Sequence, residues 1–178
     1  MKILENKLKS RFTIRTEQDY PTKGIEFIDI TPLILNKDVY NEINDIFVKE
    51  LEGMNIDYIV APEARGFLFG STVAHSLGVG CIPVRKKGKL PPIAVAATFD
   101  YEKEYGKDTL ELTKLVDGDY NNKNFYIIDD IYATGNTVRA ISNAIKDLGG
   151  NVLGTGVVMN IKALNNDSVF AIMDVEEE

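Results

Sequence analysis

Asp129 and Asp130 stand side by side directly after the apolar run Phe125-Tyr126-Ile127-Ile128, and Ala133-Thr134-Gly135-Asn136-Thr137 follows shortly after them. A short apolar run leading into such a turn reads as a strand feeding a helix. The turn offers backbone N–H groups, two hydroxyls and the positive end of a helix dipole, a combination that cradles a phosphate monoester. The carboxylates repel a phosphate. They suit the vicinal hydroxyls of a sugar, or a magnesium ion carried by a phosphorylated substrate. Together the two parts describe a site for a phosphorylated ribose. The plainer alternative is a capped helix with two solvated aspartates.

Three other segments carry chemistry. Glu63-Ala64-Arg65-Gly66-Phe67 places a cation and a glycine after the apolar run Tyr58-Ile59-Val60-Ala61, where backbone and guanidinium could meet a diphosphate. Arg85-Lys86-Lys87-Gly88-Lys89 puts four cations in five residues of an acidic chain, and they repel one another unless an anion is close. A solvated basic turn is the alternative there. Tyr101-Glu102-Lys103-Glu104-Tyr105-Gly106 is polar and aromatic with no core stripe, the pattern of a mobile surface hairpin. The only histidine, His75, and the only cysteine, Cys81, are assigned to packing.

These segments need elements to hold them. Val39, Ile43, Ile46, Phe47 and Leu51 mark a helix over residues 38–51, and further helices are expected over 67–77 and along the stripe Val138, Ile141, Ile145, Leu148. Short apolar strands are expected at 58–61, 81–84, 125–128, 152–159 and 169–173. Strands alternating with amphipathic helices argue for an α/β fold with a largely parallel sheet, whose ligands bind beyond the carboxyl ends of the strands.

With 178 residues, 44% of them hydrophobic and 26% charged, and no repeat or linker, the chain reads as one globular domain. No apolar run approaches a membrane span, and the charged start MKILENKLKSRF is unlike a secretory signal, so the expected compartment is the cytoplasm, with no membrane partner. Twenty Lys and Arg against 27 Asp and Glu give a net charge of −7, which opposes nucleic-acid binding. A single histidine excludes multi-histidine metal sites, and a single cysteine excludes an internal disulfide.

Residues 125–137 resemble the 5-phosphoribosyl-1-pyrophosphate (PRPP) signature of type I phosphoribosyltransferases, and three further stretches are similar to the adenine-specific branch of that family. These are Glu63-Ala64-Arg65-Gly66-Phe67-Leu68-Phe69-Gly70, Arg85-Lys86-Lys87-Gly88-Lys89-Leu90-Pro91, and Glu104-Tyr105-Gly106. The segment Tyr20–Leu33 resembles the family's base-receiving element. The resemblance implies a single domain over 1–178: a twisted, mainly parallel sheet flanked by helices, with a flexible hood loop at about 92–112 and a base-binding element at about 20–33. It also implies a cis peptide at Glu63-Ala64.

By the same resemblance, Asp129 and Asp130 hold the ribose, and Ala133, Thr134, Gly135, Asn136 and Thr137 wrap the 5′-phosphate. Arg65, Arg85, Lys86 and Lys89 meet the pyrophosphate, Ile25 and Phe27 receive the base, and the hood brings Glu104, the catalytic residue, together with Tyr105. Adenine and PRPP would give AMP and pyrophosphate, with magnesium carried by the substrate rather than by a protein site. A homodimer would place Arg85 near the neighbouring site. The chain departs from the family pattern at Asn136, usually glycine, where asparagine's tolerance of left-handed backbone should preserve the loop. Ile28 replaces a basic residue, Pro62 precedes Glu63, and Asn160 stands where a glutamate is expected. Ile28 keeps open a transferase for hypoxanthine, guanine or xanthine, and a PRPP-sensing regulator without catalysis is the other alternative.

Overall fold

The computed structural model of the chain describes residues 14–19, 23, 26–103 and 106–175. Two units are distinguished, residues 1–47 and 48–178. In the first, strands β1 (Arg15–Gln18) and β2 (Glu26–Asp29) pair antiparallel, with Arg15 opposite Asp29 and Glu17 opposite Phe27. Asp29 accepts the N–H of Thr31 at 2.9 Å and pairs with Arg15 at 2.7 Å. Helix α1 (Thr31–Leu35) starts there with Pro32 in its first turn, where a missing N–H does no harm. Helix α2 (Lys37–Leu51) buries Val39, Ile43, Phe47 and Leu51, the stripe read from the sequence, and the division between the units falls within it.

The second unit is built on a seven-stranded sheet in the order β5-β6-β4-β3-β7-β8-β9. Strands β3 (Tyr58–Pro62), β4 (Gly80–Lys86), β7 (Asn124–Tyr132), β8 (Asn151–Ile161) and β9 (Phe170–Val175) run parallel. Helix α3 (Gly66–Leu77) connects β3 to β4, and helix α4 (Asn136–Asp147) connects β7 to β8. The α4 stripe Val138, Ile141 and Ile145 packs in one apolar cluster with Val60, Val84, Phe125, Ile127 and Val157. Each such side chain contributes about 1.5–3 kcal/mol by leaving water. Because both crossovers are helical, the β3–α3 and β7–α4 turns emerge at the same end of adjacent strands.

The segment expected as a hood is a 3₁₀ turn, Pro92–Ala94, followed by a hairpin of β5 (Val95–Lys103) and β6 (Gly106–Thr113) that joins the sheet antiparallel along β4. Its base is not a bare surface feature. Leu110, Leu112 and Tyr101 are buried in the core cluster, so the expectation of a segment without core residues fails at Tyr101. Two other expectations need correcting. His75 lies on the exposed side of α3, and Cys81, near the start of β4, is also exposed, so neither is a packing residue. Both occupy the apolar-looking segments of their elements but on the side away from the buried stripe, which composition alone does not separate.

Candidate functional site

The strand expected to end at Ile128 runs on to Tyr132, because β8 offers a long partner: Asp129 pairs with Val157, Ile131 with Met159 and Tyr132 with Asn160. The acidic pair therefore lies within the strand rather than in a loop. Neighbouring strand positions face opposite ways, and the two carboxylates have different surroundings. Asp130 is 5% exposed, and its Oδ2 sits 2.7 Å from Nε of Arg65. Asp129 is half-buried and opens to a cavity. Its Oδ1 accepts the N–H of Asp130 at 2.9 Å. Burial, reinforced by the negative charge of Asp130, pushes the Asp129 carboxyl well above the usual carboxylate range.

Gly66 explains how α3 can start so close. A Cβ there would stand 2.8 Å from Pro62 Cδ, 2.9 Å from Asp129 Oδ1 and 3.2 Å from the Ile128 carbonyl oxygen. Only hydrogen fits. The peptide Glu63-Ala64 is cis, as the family resemblance implied.

After Tyr132 the chain turns through Ala133, Thr134 and Gly135 into α4. Gly135 takes the left-handed conformation, φ 77°, and Asn136 is already helical. Asparagine at 136 is thus accommodated by ordinary helical geometry, not by tolerance of left-handed backbone as the sequence suggested. A Cβ on Gly135 would collide with the Tyr132 hydroxyl and stand 2.7 Å from Arg139 Nη1.

A cavity of about 310 Å³ is bounded by Ala133, Thr134, Gly135, Asn136 and Thr137 together with Arg65 and Asp129. Five of the residues expected around a 5′-phosphate, one of the ribose carboxylates and one pyrophosphate cation therefore share one space. Glu102 of β5 also borders it, a residue the sequence reading passed over although it lies two positions from Glu104.

A polar frame holds this loop in place. Arg139 donates from Nη1 to Asp167 Oδ2 at 2.6 Å and from Nη2 to the Thr134 carbonyl at 2.6 Å and Asn136 Oδ1 at 2.8 Å. Asn165 donates to the carbonyls of Ala133 at 2.7 Å and Ile161 at 3.0 Å and to Asn160 Oδ1 at 3.0 Å. Tyr132 donates its hydroxyl to Asp167 at 2.7 Å, and burial with that hydrogen bond pushes its phenol up to about 12, so it stays a donor. Asn160, fully buried, donates to Asp174 at 3.1 Å, which accounts for an amide where a glutamate was expected. The only sequence signal for this frame was the departures themselves, Asn136 and Asn160.

Of the remaining cations, Arg85 donates from Nε to Glu63 Oε2 at 2.9 Å and lies over the Phe67 ring, 5.8 Å from its centroid. Glu63 also accepts the Lys86 N–H at 2.9 Å; that bond, with Arg85, holds its carboxyl below the usual range. Lys86, the last residue of β4, and Lys89, in the turn that follows, are exposed, and Gly88 of that turn donates its N–H to the buried Glu111 at 3.1 Å. Arg85, Lys86 and Lys89 are not among the residues bounding the 310 Å³ cavity. Phe27 is half-buried in β2, and Ile25, Glu104 and Tyr105 lie outside the described residues.

A family model of the phosphoribosyl transferase domain matches residues 34–175. The adenine phosphoribosyltransferase of Clostridium acetobutylicum is 44% identical over 153 residues, covering 86% of this chain and 87% of that one. The chain belongs to the adenine phosphoribosyltransferase family. Solved structures of the family agree with its fold. The crystal structure of adenine phosphoribosyltransferase from Thermoanaerobacter pseudethanolicus superposes with a TM-score of 0.83 at 39% identity, covering 97% of this chain and 98% of that one. The Saccharomyces cerevisiae adenine phosphoribosyltransferase, solved with adenine and an imino-altritol bisphosphate, gives 0.84 at 36% identity, covering 97% and 100%. The mainly parallel sheet read from the sequence is the sheet of the adenine phosphoribosyltransferases.

Proposed function

We propose that the chain transfers the phosphoribosyl group of PRPP to adenine, giving AMP and pyrophosphate in purine salvage. The observation that carries this is the shared cavity: a turn at a helix N-terminus, a carboxylate from the strand that precedes it and a guanidinium from the turn after β3 all line one space. In this reading Ala133 to Thr137 take the 5′-phosphate through backbone N–H groups and hydroxyls. Asp129 orients the ribose hydroxyls, while Asp130 acts by fixing Arg65. Breaking the bond at the ribose anomeric carbon develops positive charge on the sugar, which Asp129 favours, and negative charge on the leaving diphosphate, which Arg65 and Lys89 favour.

Arg85 and Lys86 are assigned to the same diphosphate, Arg85 near the site of the second subunit of a homodimer. Ile25 and Phe27 are assigned to adenine, where an aromatic face and an apolar wall suit a flat heterocycle. Glu104 handles the purine proton, and Tyr105 accompanies it in the hood. Residues 1–178 then work as one phosphoribosyltransferase domain.

Magnesium arrives with PRPP. Among the described residues no cluster of three metal-ligating side chains is present, and Asp129, a hard oxygen donor open to the cavity, is the group that would face the ion. When bound, the ion neutralises charge on the diphosphate. Among the described residues no helix is long and apolar enough to cross a membrane. A cytoplasmic setting suits a chain whose single cysteine, Cys81, is exposed.

The test is nucleotide formation from PRPP and magnesium with adenine, hypoxanthine, guanine and xanthine offered separately. Product with adenine alone is expected. Product with another base would overturn the specificity and keep the chemistry; PRPP binding without product from any base would make the chain a sensor.

A further inference from the structure

A trans peptide points the C=O of one residue and the N–H of the next in opposite directions. In the turn before α4, the peptides that follow Ala133 and Thr134 are trans, and both carbonyls are gripped by side chains from elsewhere. Asn165 holds the Ala133 carbonyl at 2.7 Å, and Arg139 holds the Thr134 carbonyl at 2.6 Å. Neither Arg139 nor Asn165 borders the 310 Å³ cavity, whereas Ala133, Thr134 and Gly135 all do. With the carbonyls drawn back, the N–H groups of Thr134 and Gly135 are turned the other way.

We propose that Arg139 and Asn165 are positioning residues that pre-aim the N–H groups of Thr134 and Gly135 at the substrate's 5′-phosphate. The proposal rests on the reading of residues 133–137 as the phosphate loop. Arg139 is itself held, by Asp167 at 2.6 Å and by Asn136 Oδ1 at 2.8 Å, so the two polar residues at 136 and 139 form one device. The planar guanidinium is suited to it, because its fork reaches a carboxylate and a carbonyl together. Asn165 is fixed in turn, donating to Asn160 Oδ1 and the Ile161 carbonyl and accepting the Asp167 N–H at 3.2 Å. The Arg139–Asp167 pair is roughly half exposed, 51% and 42%, so it contributes little to folding and its loss can be read at the ligand.

The experiment is titration calorimetry of ribose 5-phosphate and, separately, of magnesium pyrophosphate against the wild type, Arg139→Ala, Arg139→Lys and Asn165→Ala. Ribose 5-phosphate reports on the loop; pyrophosphate reports on Arg65 and the basic turn. Arg139→Ala is expected to weaken ribose 5-phosphate by about tenfold, the value of one charged hydrogen bond, and to leave pyrophosphate affinity in place. Asn165→Ala should show the same selectivity, and Arg139→Lys should recover only part of the loss. Unchanged ribose 5-phosphate binding in both alanine variants, or equal weakening of both ligands, would overturn the positioning role. A wild type that binds pyrophosphate but not ribose 5-phosphate would instead overturn the loop assignment beneath it.

Discussion

Gly66 and Asp129 approach so closely that a methyl group on the glycine would lie 2.9 Å from the carboxylate Oδ1. The start of α3 and the end of β7 are therefore fitted to each other through a missing side chain. One of these residues borders the 310 Å³ cavity, and the other limits where its carboxylate can sit.

Gly66→Ala is expected to push Asp129 or Pro62 aside. The overpacking should destabilise the fold by roughly 1–3 kcal/mol and raise the PRPP concentration needed for half-maximal rate. Thermal melts and PRPP saturation curves check both. A variant with wild-type stability and PRPP use would show that the contact yields without consequence.

Asp129→Asn should separate stability from function. The folded-state pKa of Asp129 lies above its ordinary value of 3.8, so its favourable contribution is present below that value and is lost as pH rises through the folded pKa. The variant should therefore melt above the wild type at neutral pH, with a gap that narrows as pH falls toward 4, while PRPP turnover drops. Melting curves between pH 4.5 and 8 give the sign; a gap that widens toward acid would contradict it.

Glu63→Gln should behave in the opposite sense. Its carboxyl is held below the ordinary 4.5 by the Lys86 N–H and by Arg85, so its stabilisation is present above that value and disappears as pH falls through the folded pKa. Weakening these charge-assisted bonds should cost about 1–2 kcal/mol at neutral pH. Denaturant melts at pH 7 and pH 4 should show the difference from wild type shrinking at the lower pH.

Glu104→Ala is expected to lower turnover by roughly 10²–10⁴-fold, the range for a lost general acid or base, with PRPP binding retained. Collapse of PRPP affinity in this variant would remove the proton-handling role assigned to the hood.

The sheet and its helices were legible because their signals are local. The stripe Val39, Ile43, Phe47, Leu51 and the run Phe125 to Ile128 need nothing beyond their own neighbours to announce a buried face. The turn at 133–137 was legible for the same reason. What could not be read is how distant segments divide the work. Asp129 and Asp130 are chemically identical in the sequence, and only Arg65, arriving from the turn after β3, makes one a buried ion-pair partner and leaves the other facing the cavity. Likewise Arg139 and Asp167 are 28 residues apart, and no periodicity links them. His75 and Cys81 were misread because a one-dimensional pattern gives an element's apolar content more reliably than the side on which one residue falls.

Strand β5 is the outermost strand on its side of the seven-stranded sheet, nine residues long, and carries Asp100 and Glu102. A long outer strand is a template on which another chain can add itself, and inserted charges are the usual guard against that. In a molecule of net charge −7, a second copy approaching this border meets carboxylates of the same sign. Asp100 and Glu102 are thus the carboxylates such an approach would meet on this strand, and Glu102 serves the border and the 310 Å³ cavity at once.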